Sequence, residues 1–449
     1  MRTGLSMLLG RSLLPIMFGC LSSNALAAGQ PLSVRSSLSF YTFGTYTEPV
    51  KDSSLNPKNK ILEIPSSQVS MDLRPNLKVD GGDVQLVARP QIELTVSKTK
   101  VDGVDASEHP SSSGKWNEAY GQYTASESLL ISFGVQSFQW GSAELLNPSN
   151  TIFHESAESK GIVSPVVGRN IARINLTWLK NLSTIFMTET EAAKGTPVFR
   201  AEEIFETRSL VKNEVSWHDG SDFIGVVFGA AATGSPSVGE YFNIGLFDGL
   251  SLYADASHRK QSATWYPVVE KSATIPTKKV VQLRQSRLHD QVTYTTAVGG
   301  LRYSFEGGSD LRLEYLTQNS GWTKEENKNA MLALDTTNSL QLADYETNLK
   351  RSLKPGLEFR GQKYAMVSLR WTEVGGIKDF TIYGRALQSL SDFSSKFYAT
   401  AEYGFGSSST LILQGLSTSS ASDTTSSTSD TDLKGVVASS LTAGLRRDF

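Results

Sequence analysis

The ten residues 69–78, which read VSMDLRPNLK, decide the fold. Apolar residues and proline occupy the odd positions of this stretch, and polar or charged residues occupy the even positions. A period of two residues is typical of a β-strand with one apolar and one polar face. Residues 85–96, QLVARPQIELTV, repeat the alternation after the turn sequence Asp80-Gly81-Gly82-Asp83. The two stretches together predict an antiparallel hairpin.

The same alternation recurs along the rest of the chain. Sixteen further segments have it, at 34–45, 115–124, 128–140, 171–179, 182–190, 209–218, 222–233, 238–247, 250–259, 291–305, 309–319, 363–372, 379–389, 395–405, 410–419 and 435–449. Most are about ten residues long, which is the length that a tilted strand needs to cross a bilayer. The sequence therefore contains eighteen candidate strands.

The connectors between these segments alternate in length. Short ones such as 80–82 and 406–408 are followed by long ones such as 141–170 and 320–362. Short turns on one side and long loops on the other are typical of outer-membrane barrels. We predict an all-β fold, a single transmembrane antiparallel β-barrel over residues 29–449, with about 18 strands or alternatively 16, long outer loops and short periplasmic turns. A water-soluble all-β protein, with one sheet face packed on a core, is the alternative.

The composition argues against several other classes of protein. The 449 residues include 43 Lys and Arg against 45 Asp and Glu, 20 Phe, 15 Tyr and one cysteine. A disordered chain would be poorer in aromatic residues, a disulfide scaffold needs more cysteine, and a nucleic-acid-binding protein is usually more basic. We therefore expect no nucleic-acid partner. No cofactor and no metal site are expected either.

Residues 1–28 are predicted to be a secretory signal peptide. Two arginines, Arg2 and Arg11, precede a short apolar run at 13–21. Small residues follow this run up to a cleavage position near Ala27 or Ala28. A lipoprotein signal acylated at Cys20 is the alternative, although the residues before this cysteine match a lipobox poorly. Beyond residue 28, no apolar run approaches the roughly 20 residues of a membrane-spanning helix.

In a membrane barrel, the polar parity of each strand faces the lumen. The residues predicted to line the pore on this basis are Asp72, Arg74, Lys78, Arg89, Glu93, Arg173, Arg302, Arg312, Glu314, Arg370, Arg385, Lys396 and Glu402. Nine of them are cationic and four are anionic. An excess of one sign in a narrow, low-dielectric tube concentrates counter-ions, so the sequence predicts a lumen that favours anions. Cross-strand salt bridges that only brace the wall are the alternative for any single residue.

One segment on the fifth candidate strand stands out. It carries the pattern G-x-Q-x-x-x-W-G, five residues, N-P-[ST]-[DN], formed by Gly134, Gln136, Trp140, Gly141, Asn147, Pro148, Ser149 and Asn150. The pattern resembles a segment of a broad group of porin-like outer-membrane proteins of Gram-negative bacteria. This resemblance implies membership of that class and does not indicate a substrate.

The same segment predicts how the chain leaves the barrel wall. Trp140 would end a strand, Gly141 would release the backbone, and the Asn-Pro dipeptide is typical of a turn. We predict that a constriction loop folds into the mouth and contains Trp140, Gly141, Asn147, Pro148, His154, Glu155 and Glu158. A rigid turn that only packs the rim is the alternative.

The last segment carries a second resemblance. Apolar residues alternate up to the carboxyl-terminal Phe449, with Arg447 as an exception. This resembles the targeting signal of Gram-negative outer-membrane barrels, which implies insertion by the barrel-insertion machinery. The expected surroundings are the lipid and lipopolysaccharide of the outer membrane of a Gram-negative bacterium. The sequence leaves both a homotrimer and a monomer open.

No arrangement of residues predicts catalysis. The five histidines are scattered singly, and neither a Gly-x-Ser-x-Gly nor a His-Glu-x-x-His motif is present. We expect a porin-like channel, and no enzyme, for the passive diffusion of small hydrophilic solutes. A substrate-specific channel or exporter, and a closed structural or adhesive barrel, are the alternatives. In the long loop 320–362, a charged run followed by Met331 predicts a short amphipathic helix.

Signal processing gives a direct check of these expectations. The mature protein is expected to begin at Ala28 or Gly29, because signal peptidase cleaves after small residues. Intact-mass measurement and amino-terminal sequencing of the protein from outer membranes test this. An amino terminus at an acylated Cys20 would instead support the lipoprotein alternative.

Overall fold

A computed structural model describes residues 32–50, 53, 55–105, 108–153, 168–191, 207–231, 235–271, 279–334, 342–353, 355–419, 433 and 436–449. The predicted signal peptide, residues 1–28, lies outside the described residues. His154, Glu155 and Glu158 of the predicted constriction loop also lie outside them. The predicted strands fall within the described part of the chain, apart from a few terminal residues.

The described residues form mostly strands. In chain order these are β1 (Ser33–Pro49), β2 (Pro65–Gly81), β3 (Val84–Val101), β4 (Val104–Asp105), β5 (His109–Ser126), β6 (Leu129–Gln136), β7 (Arg169–Leu179), β8 (Leu182–Glu191), β9 (Arg208–Trp217), β10 (Asp222–Ala231), β11 (Ser237–Phe247), β12 (Leu250–Lys260), β13 (Tyr266–Lys271), β14 (Lys279–Arg284), β15 (Thr293–Ser304), β16 (Asp310–Gln318), β17 (Lys363–Thr372), β18 (Phe380–Ser389), β19 (Ser395–Phe405), β20 (Ser409–Ser419) and β21 (Val437–Asp448). Two helices, α1 (Lys324–Ala333) and α2 (Leu342–Leu353), lie between β16 and β17.

Eighteen strands, namely β1–β3, β5–β12 and β15–β21, pair in order as one antiparallel sheet. β1 also pairs with β21, from Ser39 opposite Asp448 to Pro49 opposite Val437, which closes the sheet into a barrel. Each predicted segment corresponds to one of these strands. The 18-stranded barrel is therefore confirmed, and the 16-stranded alternative is wrong.

The two faces of the barrel wall differ as the alternation predicts. Asp72 and Glu314 point inward and are 3% and 4% exposed, whereas their chain neighbours Met71 and Leu313 point outward and are 49% and 50% exposed. A water-soluble barrel would place its apolar side chains inside. An apolar outer face around a polar interior is the arrangement of a membrane barrel.

Hydrogen bonds join the first and last strands at the seam. The Ser39 hydroxyl donates to Asp448 Oδ1 at 2.6 Å. The Phe449 and Leu38 backbones exchange two hydrogen bonds, of 2.8 and 3.2 Å. The terminal residue of the chain is thus part of the barrel closure.

The connections at the two ends of the barrel have different lengths. Tight turns join β2 to β3 and β11 to β12, where Gly82 and Gly249 have φ of +68° and +80°, a conformation that favours glycine. The connections at the opposite end include 137–168, 261–292 and 319–362. The predicted asymmetry of short turns and long loops is confirmed.

Regular structure is also present in the long connections. Helix α1 begins after Thr323, whose side chain accepts a hydrogen bond from the Glu326 N–H while the Glu326 side chain accepts one from the Thr323 N–H. This confirms the helix predicted in loop 320–362. The helix α2 and the hairpin of β13 and β14 were not predicted. Helix α1, the hairpin and neighbouring loops share a buried apolar cluster that includes Leu55, Tyr266, Leu283, Trp322 and Met331.

Among the described residues, no helix is both long and apolar enough to cross a membrane. In the same residues, no group of three or more His, Cys, Asp or Glu side chains is placed to hold a metal ion.

The seam offers a test of barrel closure. A Cβ at Gly444 on β21 would overlap the ring of Phe43 on β1. We expect Gly444→Val to destabilise the barrel by about 1–3 kcal/mol through overpacking. The measurement is the temperature at which the protein loses its compact mobility in dodecyl sulfate gels. Gly415→Val is the matched control, because a Cβ at Gly415 meets nothing within 4 Å; equal melting of the two variants would contradict this account.

Candidate functional site

A loop enters the barrel directly after β6. This strand ends at Gln136, so the predicted strand end at Trp140 is wrong. If β6 continued in the same register, Ser137 would lie opposite Asn117 on β5. The Asn117 carbonyl instead accepts a hydrogen bond from the Gly168 N–H at 3.1 Å. The chain therefore leaves the wall, and residues 137–153 form what we call the inner loop.

Two carboxylates of the barrel wall hold the inner loop. Glu314 on β16 accepts hydrogen bonds from the backbone N–H groups of Glu144 and Leu145, both at 2.6 Å. Asp255 on β12 accepts from the Ser149 N–H at 2.6 Å and from its hydroxyl at 2.8 Å. In the strand order, β16 lies roughly half-way round the barrel from β6. The inner loop thus crosses the lumen.

The residues of the sequence motif shape this loop. Gly141 has φ of +86°, and a Cβ there would overlap Asn147 Oδ1 and lie 2.7 Å from Asp255 Oδ2. The Asn147 side chain exchanges hydrogen bonds of 3.1 and 3.0 Å with the Ala143 backbone. The Asn150 N–H donates to the Asn147 carbonyl at 3.0 Å and closes the Asn-Pro turn at Pro148.

Trp140 ties the two ends of the loop together. Its indole Nε1 donates to the Ser149 hydroxyl oxygen at 2.9 Å, and the residue is 6% exposed. The ring belongs to a buried cluster with Ile152 of the loop and with Met187 and Tyr241 of the wall. A large, hydrogen-bonded ring in this position fixes the loop against the wall.

A cavity of about 560 Å³ lies inside the barrel against the inner loop. Its volume falls within the range of roughly 300–1,000 Å³ that is common for small-molecule sites. The polar side chains that line it are Gln139, Ser142, Glu144, Asn147, Asn243, Ser251, Tyr253, Arg302, Arg312, Tyr383 and Arg385. Three of these residues are arginines and one is acidic.

The arginines of the cavity are held by nearby carboxylates. Arg312 Nε lies 3.1 Å from Asp310 Oδ1 and 3.8 Å from Glu144 Oε2. Arg385 Nη1 lies 3.7 Å from Glu144 Oε1. Arg302 Nε lies 3.5 Å from the same Asp310 oxygen. Asp310 of the wall and Glu144 of the inner loop therefore hold the guanidinium groups, while part of their surface lines the cavity.

The predicted pore-lining residues lie on inward-facing positions of the strands. They are Asp72, Arg74, Lys78, Arg89, Glu93, Arg173, Arg302, Arg312, Glu314, Arg370, Arg385, Lys396 and Glu402. Arg302, Arg312 and Arg385 converge on the cavity, and Glu314 binds the inner loop. Their part in solute passage stays a prediction.

Other predicted residues form ion pairs along the wall. Arg74 Nε donates to Asp72 Oδ2 at 2.7 Å, and its guanidinium lies 4.1 Å from the Tyr41 ring centroid. Arg89 pairs with Glu118 on the neighbouring strand. The Arg89 pair is a cross-strand salt bridge of the kind that the bracing alternative describes, whereas Arg74 pairs with Asp72 within its own strand.

Sequence reasoning missed several residues that build the site. Asp255 and Tyr253 lie on the polar parity of the segment 250–259, so the alternation could have placed both in the lumen. Glu144 lies inside the motif, between its Trp-Gly and Asn-Pro pairs. Tyr383 lies on the same parity as the predicted pore-lining residue Arg385, so the alternation could have placed it in the lumen as well.

No protein-family model and no curated protein matches the sequence. Solved structures match nearly its whole length. OccAB1 of Acinetobacter baumannii is 12% identical, with a TM-score of 0.53 over 93% of this chain and 96% of that chain. OccK5 (OpdH) of Pseudomonas aeruginosa is also 12% identical, with a TM-score of 0.51 over 93% and 98%. OccD3 (OpdP) of the same organism is 11% identical, with a TM-score of 0.50 over 92% and 91%.

These proteins are outer-membrane porins of the Occ (OprD) group. The chain has their 18-stranded fold.

The role of Trp140 can be tested by truncation. Trp140→Ala removes a buried ring and its hydrogen bond, a change that typically costs about 3–5 kcal/mol. We expect lower thermal stability, and larger or noisier current steps in planar bilayers because the loop is less firmly held. Trp371→Ala is the control, since Trp371 faces outward and is 52% exposed. Unchanged conductance and stability in Trp140→Ala would remove this residue as an anchor of the loop.

Proposed function

We propose that the protein is a porin-like channel for the passive diffusion of small hydrophilic solutes across the outer membrane. The observation that carries the proposal is a polar cavity beside a loop that is tied across the lumen of a barrel with an apolar outer face. Barrels of 16–18 strands are wide enough to enclose an aqueous channel. A loop across such a lumen narrows the path, so that the solute passes close to fixed side chains.

The charges of the cavity support a preference for anions. Arg302, Arg312 and Arg385 line it together with one acidic residue, Glu144. In a narrow space with low-dielectric walls, such an excess raises the local concentration of anions and lowers that of cations. Guanidinium groups also bind carboxylate and phosphate oxygens in pairs, which suits small oxyanions as solutes.

A substrate-specific channel is the second candidate. The cavity combines guanidinium, phenol and amide groups within the volume of one small ligand. Several kinds of fixed donor around one space favour a solute of matching shape over an unselective flow of ions. A closed structural or adhesive barrel is the remaining alternative, and it would conduct no current.

The proposed location is the outer membrane of a Gram-negative bacterium. The predicted signal peptide, the terminal Phe449 and the fold of the similar porins support it. Insertion by the barrel-insertion machinery, and contact of the apolar face with lipid and lipopolysaccharide, belong to the same proposal. The same proposal includes membership of the group of porin-like proteins with the motif Trp-Gly, five residues, Asn-Pro. Both a monomer and a homotrimer agree with it.

Planar bilayers test the proposed channel. The wild-type protein is expected to give steady openings. In a potassium chloride gradient, their reversal potential should lie closer to the equilibrium potential of chloride than to that of potassium. Arg312→Gln and Arg385→Gln should shift this potential towards that of potassium, because each removes a positive charge from the cavity. Arg447→Gln, which removes an outward-facing charge beside Phe449, is the control and should leave the potential unchanged.

Other outcomes separate the alternatives. An absence of openings would support the closed barrel and contradict the proposal. Small openings that one solute blocks at low concentration would favour the substrate-specific channel.

A further inference from the structure

The Glu144 side chain of the inner loop is surrounded by donors of the barrel wall. The Ser368 hydroxyl donates to Glu144 Oε2 at 2.9 Å, and the Tyr383 hydroxyl donates to Oε1. Arg312 Nε lies 3.8 Å from Oε2, and Arg385 Nη1 lies 3.7 Å from Oε1. Two hydroxyl groups and two guanidinium groups around one carboxylate are the arrangement with which proteins bind a small oxyanion.

The backbone of the same residue is held separately. The Glu144 and Leu145 N–H groups donate to the two oxygens of Glu314, which is 4% exposed. Ser149 and Asp255 anchor the loop a second time, five residues further along the chain. The loop therefore has two anchors, at Glu314 and at Asp255, that do not use the Glu144 carboxylate.

The donors around Glu144 also border the cavity. Arg312, Tyr383 and Arg385 line it, as does Glu144 itself. A solute that enters the cavity meets the same guanidinium and phenol groups that the Glu144 carboxylate contacts. Glu144 itself borders the cavity, so empty space lies directly beside its side chain.

We propose that Glu144 is a tethered counter-ion, which occupies the oxyanion-binding position of Arg312, Arg385, Ser368 and Tyr383 and is displaced there by the carboxylate of a passing solute. This proposal rests on the proposed channel function and identifies the residue that sets its affinity for anionic solutes.

The physical consequence is weak, reversible binding. A tethered carboxylate competes with free ones at an effective concentration in the millimolar range or above. It therefore raises the concentration at which a free carboxylate half-saturates the arginines. A channel needs this balance, because a solute must bind well enough to enter and weakly enough to leave. Without Glu144, the arginines would hold an anionic solute longer.

Recordings with the full mature protein in planar bilayers test the proposal, with gluconate as the probe. We expect Glu144→Gln and Glu144→Ala to lower the gluconate concentration that halves the chloride current by about fivefold to tenfold. Both variants should keep the heat stability of the wild type in dodecyl sulfate gels, because the backbone anchor at Glu314 remains.

The matched control is Glu402→Gln. Glu402 also faces the lumen, opposite Thr381 on β18, so its removal changes the net charge of the lumen equally. If Glu144 acts through its contacts, Glu402→Gln should change the half-blocking concentration of gluconate less than twofold. Equal shifts in the two variants would reduce Glu144 to one lumen charge among others and overturn the proposal. No shift in either Glu144 variant would overturn it as well.

Failure of the channel function is a separate outcome. If the wild type gives no openings, the proposed function is wrong, and calorimetric binding of gluconate to the same variants in detergent then decides the role of Glu144. Tighter binding in Glu144→Gln than in the wild type or in Glu402→Gln supports displacement, and equal binding overturns it.

Discussion

The need to pair every backbone N–H and C=O group within a bilayer governs this structure. Lipid offers no hydrogen-bond partners, so a sheet can cross it only if its two edge strands pair with each other. In this chain the pairing of β1 with β21 provides that closure, and the last residue, Phe449, exchanges backbone hydrogen bonds with Leu38. Closure then separates two environments, which is why neighbouring residues such as Asp72 and Met71 differ so strongly in exposure.

Inside the barrel, buried carboxylates hold the inner loop in place and so determine the geometry of the candidate site. A carboxylate taken out of water is costly unless hydrogen bonds replace its hydration. Asp255 and Glu314 meet this need with backbone N–H groups of the inner loop, and those groups in turn find partners that they lack after leaving β6. The loop and the wall thus satisfy each other. The arginines Arg302, Arg312 and Arg385 lie beside this arrangement and line the cavity.

Particular elements explain why sequence reasoning succeeded for the wall and was incomplete for the loop. The period of two along 69–78 or 85–96 depends only on local geometry, so it predicted strands and their facing correctly. The end of β6 depends on Gly168, which is distant in sequence and takes the Asn117 carbonyl. The hairpin of β13 and β14 packs on Leu55 and Trp322, which are also distant in sequence. No local periodicity in the sequence predicted this hairpin.

The sequence by itself determined the all-β class, the positions of the strands, which parity of each strand is polar, and the turn chemistry of Gly141 and Asn147, since all of these follow from the periodicity and backbone preferences of short stretches. Only the tertiary structure decided that Glu314 and Asp255 bind the inner loop, and that Glu144 meets Arg312 and Arg385. Those contacts join residues more than a hundred positions apart, or on strands far round the barrel. Closure of the sheet brings these residues together. The sequence pattern of a single strand does not predict contacts with residues on distant strands.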